Sequence, residues 1–479
     1  MPIPLILASK SKPRRDVLYS AGICPTIRVS HVDEPAALEA AAREEGVTVD
    51  DLSIKQRVMI LAVAKAEAVH RAYRDVADTA AAATGDRVIA YPLKAKEIKD
   101  SEREAVVEDL RKAAAGQPID YSKAEVATTR DFSGIDMPTV TEPIATAIAG
   151  QPGLTEATVG PLILGCDSMF LLGGECYGKP HSEEVARERL SGATGELWTG
   201  HCLIDFATGR TVRGASHAKV HFGEFTDADV ERYIATGEPL EVAGSFTLEG
   251  FGGAFIDSIE GDPHGIIGLS LPLARHLAGE LGITWTDLWN VGRGELEPES
   301  KASGNQHAGI LPPVENVHQP GDGWVDCACG RKHWGTNGAS GILLARRDPV
   351  SGKVTHVVMQ HRAAWSAEGG TWGIPGGATA DGESPIEGAL RESYEEANIT
   401  PEDIEVVGSY REDHGPWAYT TVFAFEKPGH TVEPKANDDE SMEICWVPID
   451  DVPNRKLLTA MKTDWPRFAA RLDELATAQ

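Results

Sequence analysis

Residues 377–399 read GATADGESPIEGALRESYEEANI, and their spacing predicts a glycine-containing turn followed by a helix from about 385 to 397. Three carboxylates would share one face of that helix, because they stand at positions i, i+3 and i+4: Glu392, Glu395 and Glu396. Carboxylates this close repel one another unless a cation lies among them, and Mg2+ prefers oxygen ligands and bridges substrate phosphates. The alternative is a solvated acidic face with Arg391 paired to Glu395, which leaves the distant Glu383 without a role.

The full pattern from Gly377 to Glu396, G-x5-E-x7-R-E-x2-E-E, resembles the Nudix box. Two positions depart from the family's consensus, since Ser393 replaces an apolar residue and Asn398 replaces a glycine. The second change is mild, because Asn tolerates the left-handed backbone conformation. The resemblance covers about 335–465 and implies an α/β/α sandwich that cleaves a nucleoside diphosphate linked to a further group.

The same resemblance implies a site for a divalent cation, Mg2+ or Mn2+, within the box. Its expected ligands are three side chains of the helix and one backbone carbonyl: Glu392, Glu395, Glu396 and Gly376. Glu392 and Glu395 are also the candidate catalytic residues, and Arg391 is expected to orient a glutamate rather than to bind substrate. A metal there would polarise phosphoryl oxygens and lower the pKa of a bound water.

The N-terminal segment 7–23, LASKSKPRRDVLYSAGI, predicts a strand, a serine-rich loop and a helix that carries two arginines near its start. Helix N-termini present free N–H groups, and an arginine fork can grip a phosphate. Ser9 and Ser11, together with Arg14 or Arg15, are therefore candidate phosphate ligands. A capped helix with exposed arginines is the alternative.

Further blocks follow this loop in order: VDE, AKAEAV, LGCDSM, YGKP and a glycine-punctuated segment at 243–273. Together with the loop they resemble the Maf family of nucleoside triphosphate pyrophosphatases over 1–71 and 161–290. The resemblance implies a mixed-sheet α/β domain in which Asp167, at the end of a buried strand, is the general base. It implies a second set that binds substrate: Ser9, Ser11, Arg14, Glu34, Lys65 and Lys179. It implies a third set that discriminates bases: Pro13, Ser168 and Glu249.

Glu249 bears on which nucleobase the Maf-like domain is expected to prefer. Within the Maf family, Gln at this position marks the dTTP and UTP enzymes, and Glu occurs in the branch that acts on 7-methyl-GTP. The resemblance therefore argues against a dTTP preference. Taken alone, each residue has an ordinary alternative: a helix cap for Asp167, a surface lysine for Lys65 and a turn residue for Glu34. Their joint order is what supports the interpretation.

Composition and pattern divide the chain, whose expected fold class is α/β and α+β. We predict a Maf-like domain at 1–290 with an insertion at about 75–160, a linker with a Cys/His turn at 291–334, and a Nudix domain at 335–470. The insertion is rich in Ala, Thr, Asp, Glu and Lys, so we expect it to be partly helical and partly mobile and to cover or reshape the mouth of the first domain's cleft.

The formal net charge of -28 in 479 residues argues against a nucleic-acid partner or an anionic-membrane surface. Nucleotides remain the expected partners, because metals and local basic residues can hold phosphate, and a homodimer is left open. Seven scattered cysteines, without a signal peptide or an apolar run of membrane length, fit a reducing cytoplasm.

Residues 326–335, DCACGRKHWG, suggest a zinc hypothesis. Its candidate ligands are Cys327, Cys329 and His333, and His318 is close enough in sequence to be a fourth. The spacing C-x-C-x3-H lacks the common C-x2-C and a clear fourth ligand. We therefore favour a tight turn that holds free thiols.

Both halves indicate hydrolysis of a phosphoanhydride in a nucleotide, so we predict a bifunctional nucleotide pyrophosphohydrolase that removes modified or surplus nucleotides. Two alternatives stay open. One is a nucleotide-sensing regulator in which a domain binds without turnover, although no basic nucleic-acid-binding module is evident. The other is a cell-division inhibitor that acts through a protein partner, a role that the Maf resemblance allows.

Overall fold

The computed structural model describes residues 2–90, 139–144, 161–177, 182–189, 194–291, 319–327, 332–437 and 440–477. The chain forms two compact units, one of Met1–Ala72 and Glu156–Pro298, the other of Tyr73–Thr155 and Glu299–Gln479. Several predicted features lie outside the described residues: Lys179, His318, Cys329, most of the insertion and most of the linker. Within the described residues, no helix combines the length and apolar character needed to cross a membrane.

The strands and helices are numbered in chain order. The strands are β1 (Leu5–Leu7), β2 (Thr26–Ile27), β3 (Asp86–Ala90), β4 (Thr139–Pro143), β5 (Leu162–Leu172), β6 (Glu175–Tyr177), β7 (Thr194–Asp205), β8 (Thr211–Phe222), β9 (Ile256–Gly261), β10 (Trp324–Asp326), β11 (Lys332–Trp334), β12 (Ala339–Arg347), β13 (Val354–Arg362), β14 (Trp372–Gly373), β15 (Gly376–Ala378), β16 (Ile404–Asp413), β17 (Ala418–Glu426) and β18 (Ser441–Pro448). The helices are α1 (Lys12–Ser20), α2 (Glu34–Glu45), α3 (Ile54–Ala81), α4 (Glu183–Arg189), α5 (Asp227–Ile234), α6 (Pro263–Ile267), α7 (Leu271–Glu280), α8 (Pro385–Ala397) and α9 (Thr459–Thr477).

A mixed sheet forms the centre of the first unit. Among the described residues it has seven strands in the order β2-β1-β5-β7-β8-β9, with β6 paired to β5. The short strand β1 runs parallel to both of its neighbours, and the other pairs are antiparallel. This arrangement confirms the predicted mixed-sheet α/β class.

Helices cover both faces of this sheet. On one face, α1 and α7 bury alternate leucines of β1 and β5, namely Leu5, Leu7, Leu162 and Leu164. On the other face, α3 approaches β5 and β7 closely. A Cβ on Gly165 would lie 2.2 Å from the carbonyl oxygen of Ala62, and a Cβ on Gly200 would lie 2.2 Å from that of Val58. Only glycine at these two positions lets α3 pack this closely on the sheet. The close packing holds α3 against the strand that carries Asp167.

The position of Asp167 differs from the prediction. We expected Asp167 at the end of a strand, but β5 continues to Leu172 and Asp167 lies inside it. The neighbouring parallel strand is the one that ends, since β1 stops at Leu7, opposite Leu164. The loop that follows β1 therefore runs beside Asp167. Because β5 has no neighbouring strand among the described residues on this side at Asp167, the residue lies next to a loop, just as it would at the end of a strand.

The second unit contains a larger sheet, with nine strands among the described residues. Its order is β14-β13-β12-β17-β16-β3-β4, with β15 paired to β12 and β18 paired to β13. Strands β3 and β4 come from the segment that we expected to be an insertion in the first domain. In the structure β3 instead runs parallel to β16, with Arg87 opposite Ser409, and β4 pairs with β3. Both strands extend an edge that would otherwise expose unpaired backbone groups.

Two layers of helix enclose this second sheet, which confirms the predicted α/β/α sandwich. Alternate residues of β12 point to opposite faces. Ile342 and Leu344 join the core that contains residues of α8 and the end of α3. Leu343 joins the core under α9, where Trp465 and Phe468 are buried.

Helix α8 has the predicted bounds, because its two ends are determined by local sequence. Ser384 caps its N-terminus and forms a reciprocal capping box with Glu387. Asn398 ends it in the left-handed conformation, with φ of 55°. Ser393 is fully buried, and its hydroxyl donates to the Leu390 carbonyl oxygen at 2.9 Å. A serine therefore replaces an apolar residue without leaving a polar group unsatisfied.

Candidate active sites

One lysine joins two carboxylates in the first unit. Lys65 Nζ lies 2.6 Å from Asp167 Oδ1 and 2.7 Å from Glu34 Oε1. Asp167 is buried, whereas about half of the Glu34 side chain is exposed, at 48 %. The structure thus brings together three predicted residues from α2, α3 and β5, which are far apart in the chain.

Arg14 lies close to Asp167 and donates hydrogen bonds to several polar groups. Its Nη1 donates to Ser9 Oγ at 3.1 Å, and its Nη2 donates to Ser168 Oγ at 3.0 Å. The guanidinium also reaches two carbonyl oxygens, those of Cys166 and Gly268, at 2.9 Å each. Four of its five N–H groups are engaged in these bonds with described residues, so one N–H is left for a ligand.

Our sequence reasoning missed two buried polar residues of β7, Thr199 and His201. Thr199 Oγ1 donates to the Gly265 carbonyl oxygen at 2.8 Å and lies 2.9 Å from Ser168 Oγ. Ser168 must then donate to Thr199, which leaves its oxygen to accept from Arg14. His201 Nε2 accepts from the Ser270 N–H at 2.8 Å, and burial lowers the pKa of His201 to about 4. Polar residues at alternate positions of the apolar run LWTGHCLID were the available signal.

The environment of Asp167 makes it a stronger base than an ordinary carboxylate. Burial raises the pKa of Asp167, and the nearby charges of Lys65 and Arg14 oppose that rise. The adjacent thiol is not a competing nucleophile, because burial raises the pKa of Cys166 to about 12. A carboxylate with a raised pKa is suited to accept a proton.

The remaining predicted residues of the first unit occupy less constrained positions. Ser11 is the N-cap of α1, its N–H donates to Ser9 Oγ at 3.2 Å, and Pro13 lies in the first turn. Glu249 is exposed. The loop that carries Glu249 is anchored by Glu238, which accepts from Thr247 Oγ1 at 2.5 Å and from the Phe251 N–H at 2.9 Å.

In the second unit, one buried arginine binds several carboxylates of the predicted box. Arg391 contacts Glu383 through both carboxylate oxygens, at 2.6 and 3.0 Å. Its Nη1 lies 2.7 Å from Glu392 Oε1 and 3.4 Å from Glu395 Oε2. Burial disfavours the charged guanidinium, but attraction by these three carboxylates outweighs burial, and the pKa of Arg391 rises well above its usual value.

Two carboxylates converge on the backbone of the turn before α8. Glu396 Oε2 accepts from the Gly376 N–H at 3.2 Å and from Gln360 Nε2 at 3.3 Å. A Cβ on Gly377 would lie only 2.7 Å from Cδ of Glu392. Glycine at 377 therefore leaves the space that the Glu392 carboxylate occupies. Our sequence analysis did not identify Gln360, because it lies within strand β13 and no motif around it marks it as a site residue.

This second arrangement fits a hard divalent cation. Arg391 pairs with Glu383, Glu392 and Glu395, and Glu396 lies beside them at the Gly376 N–H. Clustered carboxylate oxygens of this kind suit Mg2+ or Mn2+. The side chains of Glu392 and Glu395 are 16 % and 29 % exposed, so solvent and ligand can reach them.

The predicted Cys/His turn is only partly described. Cys327 follows β10 and is buried, and His333 lies in β11. Cys329 and His318 fall outside the described residues. The structure adds His414, since Cys327, His333 and His414 each offer a ligand atom within 4.8 Å of the others. Sequence reasoning did not connect His414 to this group.

Comparisons with known proteins agree with both resemblances. A family model described as Maf-like protein matches residues 113–281, and one described as NUDIX domain matches residues 337–469. A Nudix hydrolase from M. smegmatis, RenU, is 35% identical over 32% of this chain and 94% of its own, with a TM-score of 0.29.

Two curated relatives cover the chain more widely. A nucleoside triphosphate pyrophosphatase from Leifsonia xyli subsp. xyli is 36% identical over 60% of this chain and 96% of its own length. A nucleoside triphosphate pyrophosphatase/Nudix hydrolase fusion protein from Bifidobacterium longum (strain NCC 2705) is 98% identical over the whole of both chains. The chain therefore belongs to the family of nucleoside triphosphate pyrophosphatase/Nudix hydrolase fusion proteins, and it is a hydrolase.

Proposed function

We propose that the first unit hydrolyses nucleoside triphosphates to a nucleoside monophosphate and pyrophosphate, with Asp167 as the general base. The contact of Lys65 with both Asp167 and Glu34 is the observation that carries this proposal. A buried carboxylate with a raised pKa, held in place by a lysine, is an arrangement that suits proton abstraction.

In the proposed reaction, Asp167 takes a proton from a water molecule while the water oxygen bonds to the α-phosphorus. The anhydride bond between the α- and β-phosphates breaks, and pyrophosphate leaves with the electron pair. Positioning and charge neutralisation account for most of the catalysis in such a step. Lys65 would supply positive charge beside the reacting phosphate. Ser9, Ser11, Arg14 and Lys179 would hold the remaining phosphates.

For the nucleobase, we propose 7-methylguanine as the preferred class, with Glu249, Pro13 and Ser168 as the residues that discriminate it. Methylation at N7 places a positive charge on the guanine ring. An exposed carboxylate such as that of Glu249 complements this charge and offers none of the amide donors that a glutamine would present. An uncharged base would not gain this attraction.

We propose that the second unit cleaves a nucleoside diphosphate linked to a further group, with a divalent cation held by Glu392, Glu395, Glu396 and the Gly376 carbonyl. When bound, the cation would polarise phosphoryl oxygens. Glu395 is the best candidate to position or deprotonate water, because it makes the longest contact with Arg391, at 3.4 Å, and is the more exposed of the two glutamates that pair with the Arg391 Nη1. Glu392 is the second catalytic candidate, and Arg391 orients both.

Two variants of the full chain test these assignments. With Mg2+ and a nucleotide panel, Asp167→Asn should lower pyrophosphate release from nucleoside triphosphates on the order of 10²–10⁴-fold and spare cleavage of diphosphate-linked substrates. Glu395→Gln should show the reverse pattern. Loss of both activities in either variant would contradict two independent sites. If the unmodified chain cleaved no nucleotide, the regulator and cell-division alternatives would replace the proposal.

A further inference from the structure

A cluster of sulfur and nitrogen ligands lies in the second unit, made of residues other than those of the acidic box. Cys327, His333 and His414 each place one potential ligand atom within 4.8 Å of the others. Cys327 follows β10, His333 lies in β11, and His414 lies in the turn between β16 and β17. Cys327 and His414 are buried, so these groups are removed from most of their solvent contacts.

The hydrogen bonds of His414 point to a ligand. Its Nε2 lies 3.0 Å from Glu412 Oε1, and a carboxylate there fixes the proton on Nε2. Its Nδ1 is then an acceptor, yet among the described residues it has no hydrogen-bond partner, although it is buried. A buried acceptor without a hydrogen-bond partner is unfavourable, so such a nitrogen usually has a partner in the native protein.

We propose that Cys327, His333 and His414 bind a zinc ion through the Cys327 sulfur, one ring nitrogen of His333 and Nδ1 of His414. Thiolate and imidazole are the ligands that zinc prefers in tetrahedral sites, whereas Mg2+ prefers oxygen. Cys327 binds as the thiolate and releases its proton to solvent. The Glu412 carboxylate completes the carboxylate–histidine–zinc arrangement that is common around bound zinc.

The role of this zinc is structural and goes beyond the proposed hydrolysis. Strands β10 and β11 form a separate two-stranded sheet, and short hairpins of this kind are marginal by themselves. His333 stacks on Trp417 with ring centroids 4.1 Å apart, and Trp417 Nε1 donates to the Trp334 carbonyl oxygen at 2.9 Å. A zinc ion between Cys327, His333 and His414 would fasten this hairpin to the turn that follows β16.

Metal analysis of the full chain tests the proposal. Protein purified without chelators, then exchanged into buffer with Mg2+ and trace zinc, should retain about one zinc per chain. Cys327→Ser and His414→Gln should remove it, and Glu412→Gln should weaken zinc affinity about 10–100-fold. Cys445→Ser and His430→Gln are the matched controls in the same unit, and both should keep the zinc of the unmodified chain.

Cobalt substitution identifies the ligands without relying on variants that fail to fold. The Co2+ protein should show a thiolate-to-cobalt charge-transfer band that zinc abolishes on titration and that Cys327→Ser lacks. A site made of box carboxylates gives no such band, so failure of the acidic-site assignment leaves this test unaffected. A chain that retains no zinc, or zinc content and a cobalt band unchanged in Cys327→Ser, would overturn the proposal.

Discussion

The two candidate active sites both place one cation among carboxylates, but they build this arrangement differently. In the first unit, Lys65 joins Glu34 and Asp167, which come from separate elements of the fold. In the second, Arg391 joins Glu383, Glu392 and Glu395, all within thirteen positions of one another in the sequence. The first site therefore depends on tertiary packing of α3 against β5, and the second depends mainly on one helix and the turn before it.

The two cationic side chains, Arg391 and Lys65, also differ in shape and flexibility. The Arg391 guanidinium is planar, almost fully buried and bound to Glu383 through both carboxylate oxygens, which suits a fixed scaffold. Lys65 carries a compact ammonium on a flexible stem, which can contact Asp167, the proposed general base, and a phosphate in turn. We therefore propose a mainly structural role for Arg391 and a direct role in the reaction for Lys65.

Removing the arginine should therefore have the largest effect on stability. Arg391→Met removes the guanidinium that pairs with Glu383 and Glu392, and breaking a buried ion pair in this way costs about 3–5 kcal/mol. Urea denaturation of the full chain without added Mg2+ should show this loss in the unfolding of the second unit. Arg471→Met is the control, because Arg471 pairs at 2.9 Å with an exposed Glu474, and such pairs contribute about 0–1 kcal/mol. Equal losses in the two variants would contradict a structural role for Arg391.

The same contrast explains which parts of the molecule could be predicted from sequence. The bounds of α8 follow from Ser384, Glu387 and Asn398, which act over a few residues. The spacing of the box likewise places Glu392, Glu395 and Glu396 on one helix without any knowledge of the sheet. The Maf-like site was predictable only through the order of its blocks, because no local rule brings Lys65 to Asp167.

Features that depend on long-range pairing could not be predicted. Strand β3 is short, and its place in the second sheet is decided by the edge of β16, more than 300 positions later in the chain. His414 lies 81 positions after His333, so motif spacing around the Cys/His turn could not reveal it. Thr199 supports Arg14 through Ser168, and a sequence alone shows that Thr199 is polar but not that it is buried.

A smaller change can test whether the turn before α8 shapes the cation site. Gly377→Ala places a Cβ 2.7 Å from Cδ of Glu392, so that carboxylate must move. The Mg2+ concentration needed for half-maximal activity of the second unit should rise about tenfold or more. Gly373→Ala is the matched control, because its Cβ would meet nothing closer than 3.8 Å, and its Mg2+ dependence should not change. An unchanged Mg2+ dependence in Gly377→Ala would show that Glu392 is not a ligand.

The smallest expected effect concerns the pH dependence of the first site. Burial raises the pKa of Asp167 and Lys65 holds it down, so Lys65→Gln should raise that pKa further. A general base must be deprotonated to act, and the pH dependence of kcat/KM reports the pKa of that base in the free enzyme. The acidic limb of the kcat/KM profile for nucleoside triphosphates should therefore move to higher pH, in addition to any uniform loss of rate.

Lys12→Gln is the control, because Lys12 is 62% exposed and pairs with Asp16 at 2.6 Å, so the acidic limb of this variant should stay in place. An acidic limb that stays in place or moves to lower pH in Lys65→Gln would mean that Asp167 is not the titrating base, and the comparison between the two cations would fail at the first site.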